Sequence, residues 1–235
     1  MQTRTRIAGI IAIALLTILG SAYAQQDRLA MTEPYVRIDI GAAQLEEASS
    51  EAVVSGDLLM YNFEETDTTN FSFGAGATFH GWLRTELSLA QSNYEIDGTV
   101  AEFGSLPIPL ETEIDSSLFM VDVNFEFAGL GLTPDWLRPY VGIGIGYAWH
   151  EFDDITYPTL PYLSTEGDDT SEFAWRFTIG VGFQVHERMV IDVAYRWLDA
   201  GDAETSTTFF PSPFPMSNPV EVEMETQTVS AGIRF

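Results

Sequence analysis

Apolar and polar residues alternate in eight separate stretches of this chain, and this alternation restricts the fold more than any other feature of the sequence. The last stretch, "TVSAGIRF", places Val229, Ala231, Ile233 and Phe235 at every second position. A period of two is typical of β-strands, whose side chains point alternately to opposite faces. The sequence therefore predicts an all-β protein whose eight strands occupy residues 35–42, 70–81, 83–90, 118–127, 139–150, 173–186, 190–198 and 228–235.

The connections between these strands are of two kinds. Strands two and three are joined by residues 80–82, and strands six and seven by residues 186–189, both of them short turns. Residues 128–138 join strands four and five, and the other four connections are long, covering residues 43–70, 95–115, 151–171 and 199–221. Short turns at one end and long loops at the other are typical of an antiparallel up-and-down barrel in a bacterial outer membrane.

The charges follow the same division. The chain has 35 acidic residues, ten arginines and no lysine, and 26 of the acids lie in or directly beside the four long loops, which hold no arginine. Such acidity excludes nucleic acid as a partner, because a phosphate backbone requires a cationic surface. The strands instead carry balanced charge on their polar face, with Arg37, Arg84, Arg176, Arg196 and Arg234 beside Asp39, Glu86, Asp122, Glu126 and Asp192.

Balanced charge on one face suits a narrow lumen, so the apolar face is predicted to meet lipid. Aromatic residues mark both ends of that face, which is the belt pattern of membrane proteins. They are Phe79, Trp82, Phe127 and Trp136 near the short turns, and Tyr94, Trp149, Trp175 and Trp197 near the long loops. A soluble lipocalin-like barrel, which has the reverse polarity, is the alternative.

The N-terminus predicts export. Arginines precede an uncharged apolar run at residues 7–20, and "AYA" at 22–24 has the small residues of a cleavage site. We therefore predict a signal peptide at 1–24 and one barrel domain at 25–235. The run is too short for a membrane-crossing helix, and the chain has no cysteine for a disulfide.

Taken together, the signal, the eight strands and the terminal "AGIRF" resemble the small outer-membrane barrels of the OmpA/Opa type, the porin-family or outer-membrane β-barrel domain proteins. The resemblance implies an eight-stranded transmembrane barrel with four long extracellular loops and short periplasmic turns. It also implies that Ile233 and Phe235 form the signal read by the barrel-assembly machinery. A lipid-facing role alone is the alternative for Phe235.

Charged groups inside so small a barrel must be paired, because an uncompensated buried charge is costly. We predict a lumen network of Arg37, Asp39, Arg84, Glu86, Asp122, Arg176, Asp192, Arg196 and Arg234. A satisfied polar core is the preferred interpretation, and a narrow ion path is the alternative. The glycines of the polar face are attributed to curvature and packing.

No residue pattern predicts catalysis or a cofactor. His80, His150 and His186 are not spaced as metal ligands, and no nucleophile accompanies them in a known arrangement. Close carboxylates bind hard cations, which makes Asp153, Asp154, Asp168 and Asp169 weak calcium candidates. The preferred interpretation of residues 151–171 is a solvated, mutually repelling loop without a metal site.

The fourth loop is the remaining signal, because it holds aromatic residues among prolines. Phe209, Phe210, Phe214 and Met216 form either a contact surface for a partner or a plug for the barrel mouth. The resulting hypothesis is a non-enzymatic outer-membrane protein with a structural or surface-interaction role. It contacts lipid and lipopolysaccharide, the latter through bridging divalent cations. A narrow solute channel is the alternative, and a lipid- or peptide-cleaving enzyme is a third.

Overall fold

The computed structural model of the protein describes residues 32–54, 57–102, 106–212 and 215–235. They form one antiparallel sheet of twelve strands and a short 3-10 helix, Ala128–Leu130. The strands are β1 (Thr32–Leu45), β2 (Ala48–Val54), β3 (Asp57–Phe63), β4 (Thr66–Phe79), β5 (Leu83–Glu102), β6 (Ile108–Glu126), β7 (Leu137–Phe152), β8 (Ile155–Thr156), β9 (Ser164–Gly167), β10 (Asp169–His186), β11 (Met189–Phe210) and β12 (Glu221–Arg234). Within these ranges no helix has the length and apolar character needed to cross a bilayer.

Eight long strands pair in the order β1, β4, β5, β6, β7, β10, β11 and β12. The last strand then pairs with the first, from Arg37 opposite Arg234 to Leu45 opposite Thr226. Each long strand therefore has a hydrogen-bonded neighbour on both sides. The predicted all-β, antiparallel fold is confirmed.

The described residues form twelve strands, so the predicted barrel of eight strands with four long loops is not confirmed in that form. Strands β2, β3, β8 and β9 lie in the segments predicted as loops 43–70 and 151–171. Segments 95–115 and 199–221 are largely strand as well, because β5, β6 and β11 continue far past their predicted ends. We call the end with the turns at 80–82 and 187–188 the lower end, and the opposite end the upper end.

A reversal of polarity along the strands explains why the strands run beyond their predicted ends. In the lower half of β12, Val229 and Ile233 face outward and Ser230 and Arg234 are buried. In its upper half the same outward face carries carboxylates, while the buried positions become apolar. The upper outward residues are Glu221, Glu223 and Glu225, and the buried ones are Val222 and Met224.

Strand β5 reverses in the same way. Arg84 is buried and Leu87 lies on the outer face below, whereas Tyr94 and Ile96 are buried and Glu95 is exposed above. The side-chain period stays at two throughout, and only the chemistry of the two faces exchanges. The prediction that Tyr94 belongs to the outer aromatic belt is thus wrong, because the pleat of the strand directs its side chain inward.

The buried apolar residues of the upper half form one cluster, which we call the upper core. Its large members include Tyr61, Phe63, Ile96, Leu110, Ile114, Phe152, Ile155, Tyr157 and Met224. Burying one such side chain contributes roughly 1.5–3 kcal/mol. Loss of water around the Tyr157 hydroxyl raises its pKa, as expected in an apolar interior.

The strand segments above the polarity reversal, together with β2, β3, β8 and β9, form what we call the upper sheet. They close around this core. Val54 of β2 bridges to Met216, and Ser217 N donates to Val53 O at 2.9 Å. On the other side, β8 and β9 connect β6 to β11. The solvated loop preferred for residues 151–171 is therefore wrong, because Ile155 and Thr165 of this segment are fully buried.

A β-bulge in β11 changes which of its residues point inward between the lower and the upper half of the barrel. Its register shifts between Asp199 and Asp202. Gly201 has φ 72°, a left-handed conformation that glycine adopts without strain. After the bulge Ala203 and Thr205 point inward, and Glu204 lies on the outer face.

Candidate functional site

The lower interior is filled by charged side chains, which we call the polar plug. All nine residues of the predicted network are buried there, together with Glu126. The ten residues are Arg37, Asp39, Arg84, Glu86, Asp122, Glu126, Arg176, Asp192, Arg196 and Arg234. Five guanidinium groups and five carboxylates thus occupy one interior.

Glu126 joins more arginines than any other carboxylate in the described ion pairs. Its Oε1 accepts from Arg84 Nη1 at 2.5 Å and from Arg234 Nη1, and its Oε2 lies 3.5 Å from Arg138 Nε. The predicted network omitted it. Its alternation with Asp122 and Asn124 had already placed it on the polar face of this strand.

The other ion pairs link neighbouring walls of the interior. Arg176 donates from Nε to Asp122 Oδ1 at 2.7 Å and from Nη2 to Oδ2, a bidentate pair. The same Nη2 donates to Ser88 Oγ at 2.9 Å. Arg234 Nε lies 3.3 Å from Asp192 Oδ2, which couples this carboxylate to the Glu126 group.

Asp39 is a third carboxylate, after Glu126 and Asp122, around which arginines gather in the polar plug. Arg37 donates to its Oδ1 from Nε at 3.0 Å and from Nη2 at 2.6 Å. Arg196 Nη2 lies 3.4 Å from the same oxygen, and its Nη1 donates to Ser230 Oγ at 2.9 Å. Glu86 completes the group, because Tyr35 donates to its Oε2 at 2.8 Å.

Aromatic rings and glycines make room for these guanidinium groups. The Arg84 guanidinium carbon lies 4.3 Å from the centroid of the Tyr140 ring, a cation–π distance. The Tyr140 ring in turn requires a glycine opposite it. A Cβ at Gly180 would lie 2.5 Å from Tyr140 Cζ, which is a severe overlap.

Some buried polar atoms of the plug make no hydrogen bond to the described residues. They include Arg84 Nη2, Arg234 Nη2, the Tyr140 hydroxyl and Asp192 Oδ1. Buried polar groups of this kind are normally satisfied by ordered water. The interior therefore offers water positions between its charged groups.

His150 lies in the wall above the plug and is 1% exposed. Its Nε2 donates to Ala200 O at 2.9 Å, because a carbonyl only accepts. Nδ1 is then the acceptor for Ser116 Oγ at 3.0 Å. Both ring nitrogens are satisfied by the surrounding wall, and His80 and His186 lie at the lower end.

The four calcium candidates lie together on the outside of the upper sheet. Asp153, Asp154, Asp168 and Asp169 line one open cleft of about 630 Å³ with Glu151 and Glu166. Two of the carboxylates already bind backbone: Asp154 Oδ1 accepts from Gly167 N, and Asp168 Oδ1 accepts from Asp169 N. Among the described residues, no three acidic, histidine or cysteine side chains are grouped as a metal site would require.

The acids of the upper sheet also repel one another. Glu95 lies opposite Glu113, Asp97 opposite Glu111, and Glu204 opposite Glu221. Like charges directly opposite each other destabilise a sheet. Partial burial, Glu221 and further acids raise the pKa of Glu204.

This repulsion predicts that salt stabilises the upper sheet by screening, within about 10 Å at ~0.1 M salt. In detergent free of lipopolysaccharide, NaCl and CaCl₂ at equal ionic strength should protect residues 151–171 from proteolysis equally. Selective protection by Ca²⁺ that disappears in the double variant Asp168→Asn, Asp169→Asn would contradict the prediction.

The aromatic residues of the fourth predicted loop divide between core and surface. Met216 is buried in the upper core, and Phe209 packs against it with its ring 6.3 Å from that of Tyr157. Phe210 points outward. Phe214 lies outside the described residues.

The comparison with known families decides the identity of the fold. Residues 11–235 match the outer membrane protein beta-barrel domain. The chain belongs to this family. The resemblance predicted from the alternating strands is confirmed, and family membership places the barrel in the bacterial outer membrane.

Relatives and solved structures agree with this membership. A protein of Rickettsia massiliae (strain Mtu5) named "Putative adhesin" is 24% identical over 96% of this chain and 97% of its own length. The crystal structure of the outer membrane protein OprG from Pseudomonas aeruginosa has a TM-score of 0.59 at 17% identity, covering 87% of this chain and 97% of OprG. Neisserial surface protein A has a TM-score of 0.50 at 15% identity, covering 86% and 97%.

Two predictions concern the ends of the chain, and both stay predictions. The signal peptide at 1–24 lies outside the described residues and stays a prediction. Ile233 and Phe235 both point outward at the lower end, and Phe235 exchanges two backbone hydrogen bonds with Val36. Their role in assembly stays a prediction.

Proposed function

We propose that the eight long strands cross the outer membrane as a closed, non-enzymatic barrel that presents the upper sheet at the cell surface for interaction. The observation that carries the proposal is an interior filled at two levels. The polar plug fills the lower half, and the upper core fills the part above it. A barrel packed in this way has a structural or binding role rather than a transport role.

The lower outer surface supports placement in lipid. Ile143 is 63% exposed and Ile145 is 59% exposed, and a soluble barrel would bury such residues. Exposed aromatic side chains, Tyr147 and Trp149, follow above them on the same face of β7. The carboxylates of the upper sheet then begin, as expected at the water boundary.

The upper sheet supports the surface role. It raises paired strands, rather than mobile loops, above the aromatic belt, and an apolar core holds them in place. The rickettsial relative is named "Putative adhesin", which fits a protein that contacts another surface. Lipopolysaccharide would surround the barrel, with divalent cations bridging its phosphates to the acids.

Planar-bilayer recording tests the proposal. We expect the purified protein to show no stable single-channel conductance, because the polar plug and the upper core fill the described interior. A porin reconstituted in parallel serves as the positive control. Reproducible conductance steps that require the folded protein would overturn the closed-barrel function.

A narrow ion path is the second candidate, and the unpartnered polar atoms of the plug favour it. Water at Arg84 Nη2, Arg234 Nη2 and Asp192 Oδ1 would link the charged groups into a hydrated route. Small conductance steps whose ion selectivity changes in Arg196→Met would support this candidate.

A further inference from the structure

One outward face of the upper sheet carries exposed aromatic rings. Tyr162, in the turn between β8 and β9, is 59% exposed, and Phe210, at the end of β11, is 62% exposed. Phe210 lies directly opposite Ser164 of β9, which follows Tyr162 by two residues. Large exposed apolar groups at the upper end of a folded sheet mark an interaction site.

The core does not require these two rings. The adjacent Phe209 packs against Tyr157 in the upper core, whereas Phe210 points to the other side of the strand. Tyr162 lies in a turn and is likewise turned to solvent. Their exposure is therefore a property of the surface rather than a consequence of incomplete packing.

The acidic cleft lies at the base of the same hairpin. Glu166 and Gly167 of β9 form one side of it, and Asp153 and Asp154, which precede β8, form another. The hairpin thus runs from a cleft with six carboxylates to the ring of Tyr162. We call the outward side of β8, β9 and the end of β11, together with this cleft, the docking face.

We propose that the docking face binds a cationic protein segment in which arginine or lysine side chains alternate with apolar ones. The basic side chains enter the cleft, and the apolar ones pack on Tyr162 and Phe210. This inference rests on the proposed surface role and names the chemistry of its partner.

Charge complementarity selects this occupant over the others. A second copy of the chain would bring two acidic clefts together, and its net charge of −25 opposes such contact. Nucleic acid is anionic and is repelled in the same way, and lipopolysaccharide phosphates approach these acids only through a bridging divalent cation. A free divalent cation would satisfy the carboxylates but would leave both aromatic rings in water.

Binding of two synthetic peptides to the full barrel in nanodiscs tests the proposal. One peptide alternates arginine with leucine and the other alternates arginine with serine, at equal length and charge, and empty nanodiscs correct for binding to lipid. We expect Phe210→Ser with Tyr162→Ser to weaken binding of the arginine–leucine peptide about tenfold, as loss of an aromatic anchor does, and to leave the arginine–serine peptide unchanged. The control Leu106→Ser removes an exposed apolar side chain from another hairpin and should have no effect.

A second pair of variants tests the cleft. Glu166→Gln with Asp169→Asn should weaken binding of both peptides more than Glu47→Gln with Glu64→Gln, which makes the same charge change on exposed turns next to β1 and β4. Equal losses in the two pairs would show diffuse attraction only and would overturn the proposal. It also fails if neither peptide binds the wild-type barrel, while the closed-barrel function stands or falls separately with the conductance recording.

Discussion

Glu126→Gln is expected to destabilise the folded barrel by about 3–5 kcal/mol, the usual cost of breaking a buried ion pair. Glu126 is fully buried and accepts hydrogen bonds from Arg84 and Arg234, with Arg138 nearby. The neutral amide keeps the shape but leaves buried guanidinium groups without a counter-charge. Urea titration in lipid vesicles, with unfolding followed by tryptophan fluorescence, measures the loss.

Two further variants test the cause. Glu187→Gln, on an exposed lower turn, changes the net charge equally and should leave the unfolding midpoint unchanged. Arg84→Met should be less damaging than Glu126→Gln, because Arg234 still compensates Glu126. An unfolding midpoint for Glu126→Gln equal to that of the wild type would show that the plug does not stabilise the barrel.

Deletion of Phe235 is expected to reduce the outer-membrane yield severely and to leave protease-sensitive chain in the periplasm. Phe235 makes two backbone hydrogen bonds to Val36, where the last strand joins the first, so the deletion weakens the closing pair directly. It also removes the aromatic terminus that the family resemblance predicts as the assembly signal. Heat-modifiable migration on gels and protease digestion of cell fractions measure the yield.

Phe183→Ala is the matched control for this deletion. Phe183 also points outward at the lower end, on β10, and its loss removes similar apolar surface without touching the terminus. An equal loss of yield in both variants would assign the effect to lipid contact alone. Normal yield of folded barrel without Phe235 would contradict the assembly prediction.

The lower half of the barrel is readable from the sequence because its alternation has one constant polarity. Once the outward face of "TVSAGIRF" is assigned to Val229 and Ile233, the inward positions of Ser230 and Arg234 follow. The same logic places the arginines and carboxylates of the plug on one interior surface. The individual ion pairs do not follow from the alternation, because they depend on the tilt and length of each side chain across the lumen.

The pairing of Arg196 illustrates that limit. The sequence places Arg196 and Arg176 on the same surface as Asp122 and Asp192. The structure pairs Arg176 with Asp122, but Arg196 lies beside Asp39, on the other side of β12.

The upper half was not predicted because its alternation has the opposite polarity. In "EVEMET" the acids at 221, 223 and 225 face out and Val222 and Met224 face in, as in a soluble barrel. A search for one constant polarity therefore ends each strand where the polarity of its two faces reverses. The bulge at Gly201 shifts the faces of β11 once more, so its later alternation no longer follows its beginning.

Cysteine accessibility on intact cells tests the placement of the barrel in the membrane most directly. The chain has no cysteine of its own, so each variant carries a single thiol. Glu223→Cys and Val229→Cys replace exposed residues on the same outward face of β12, one on each side of the polarity reversal. A membrane-impermeant maleimide should label the variant at 223 rapidly and should label the variant at 229 only after denaturation. Equally rapid labelling of both positions on intact cells would contradict the placement of the lower half in lipid.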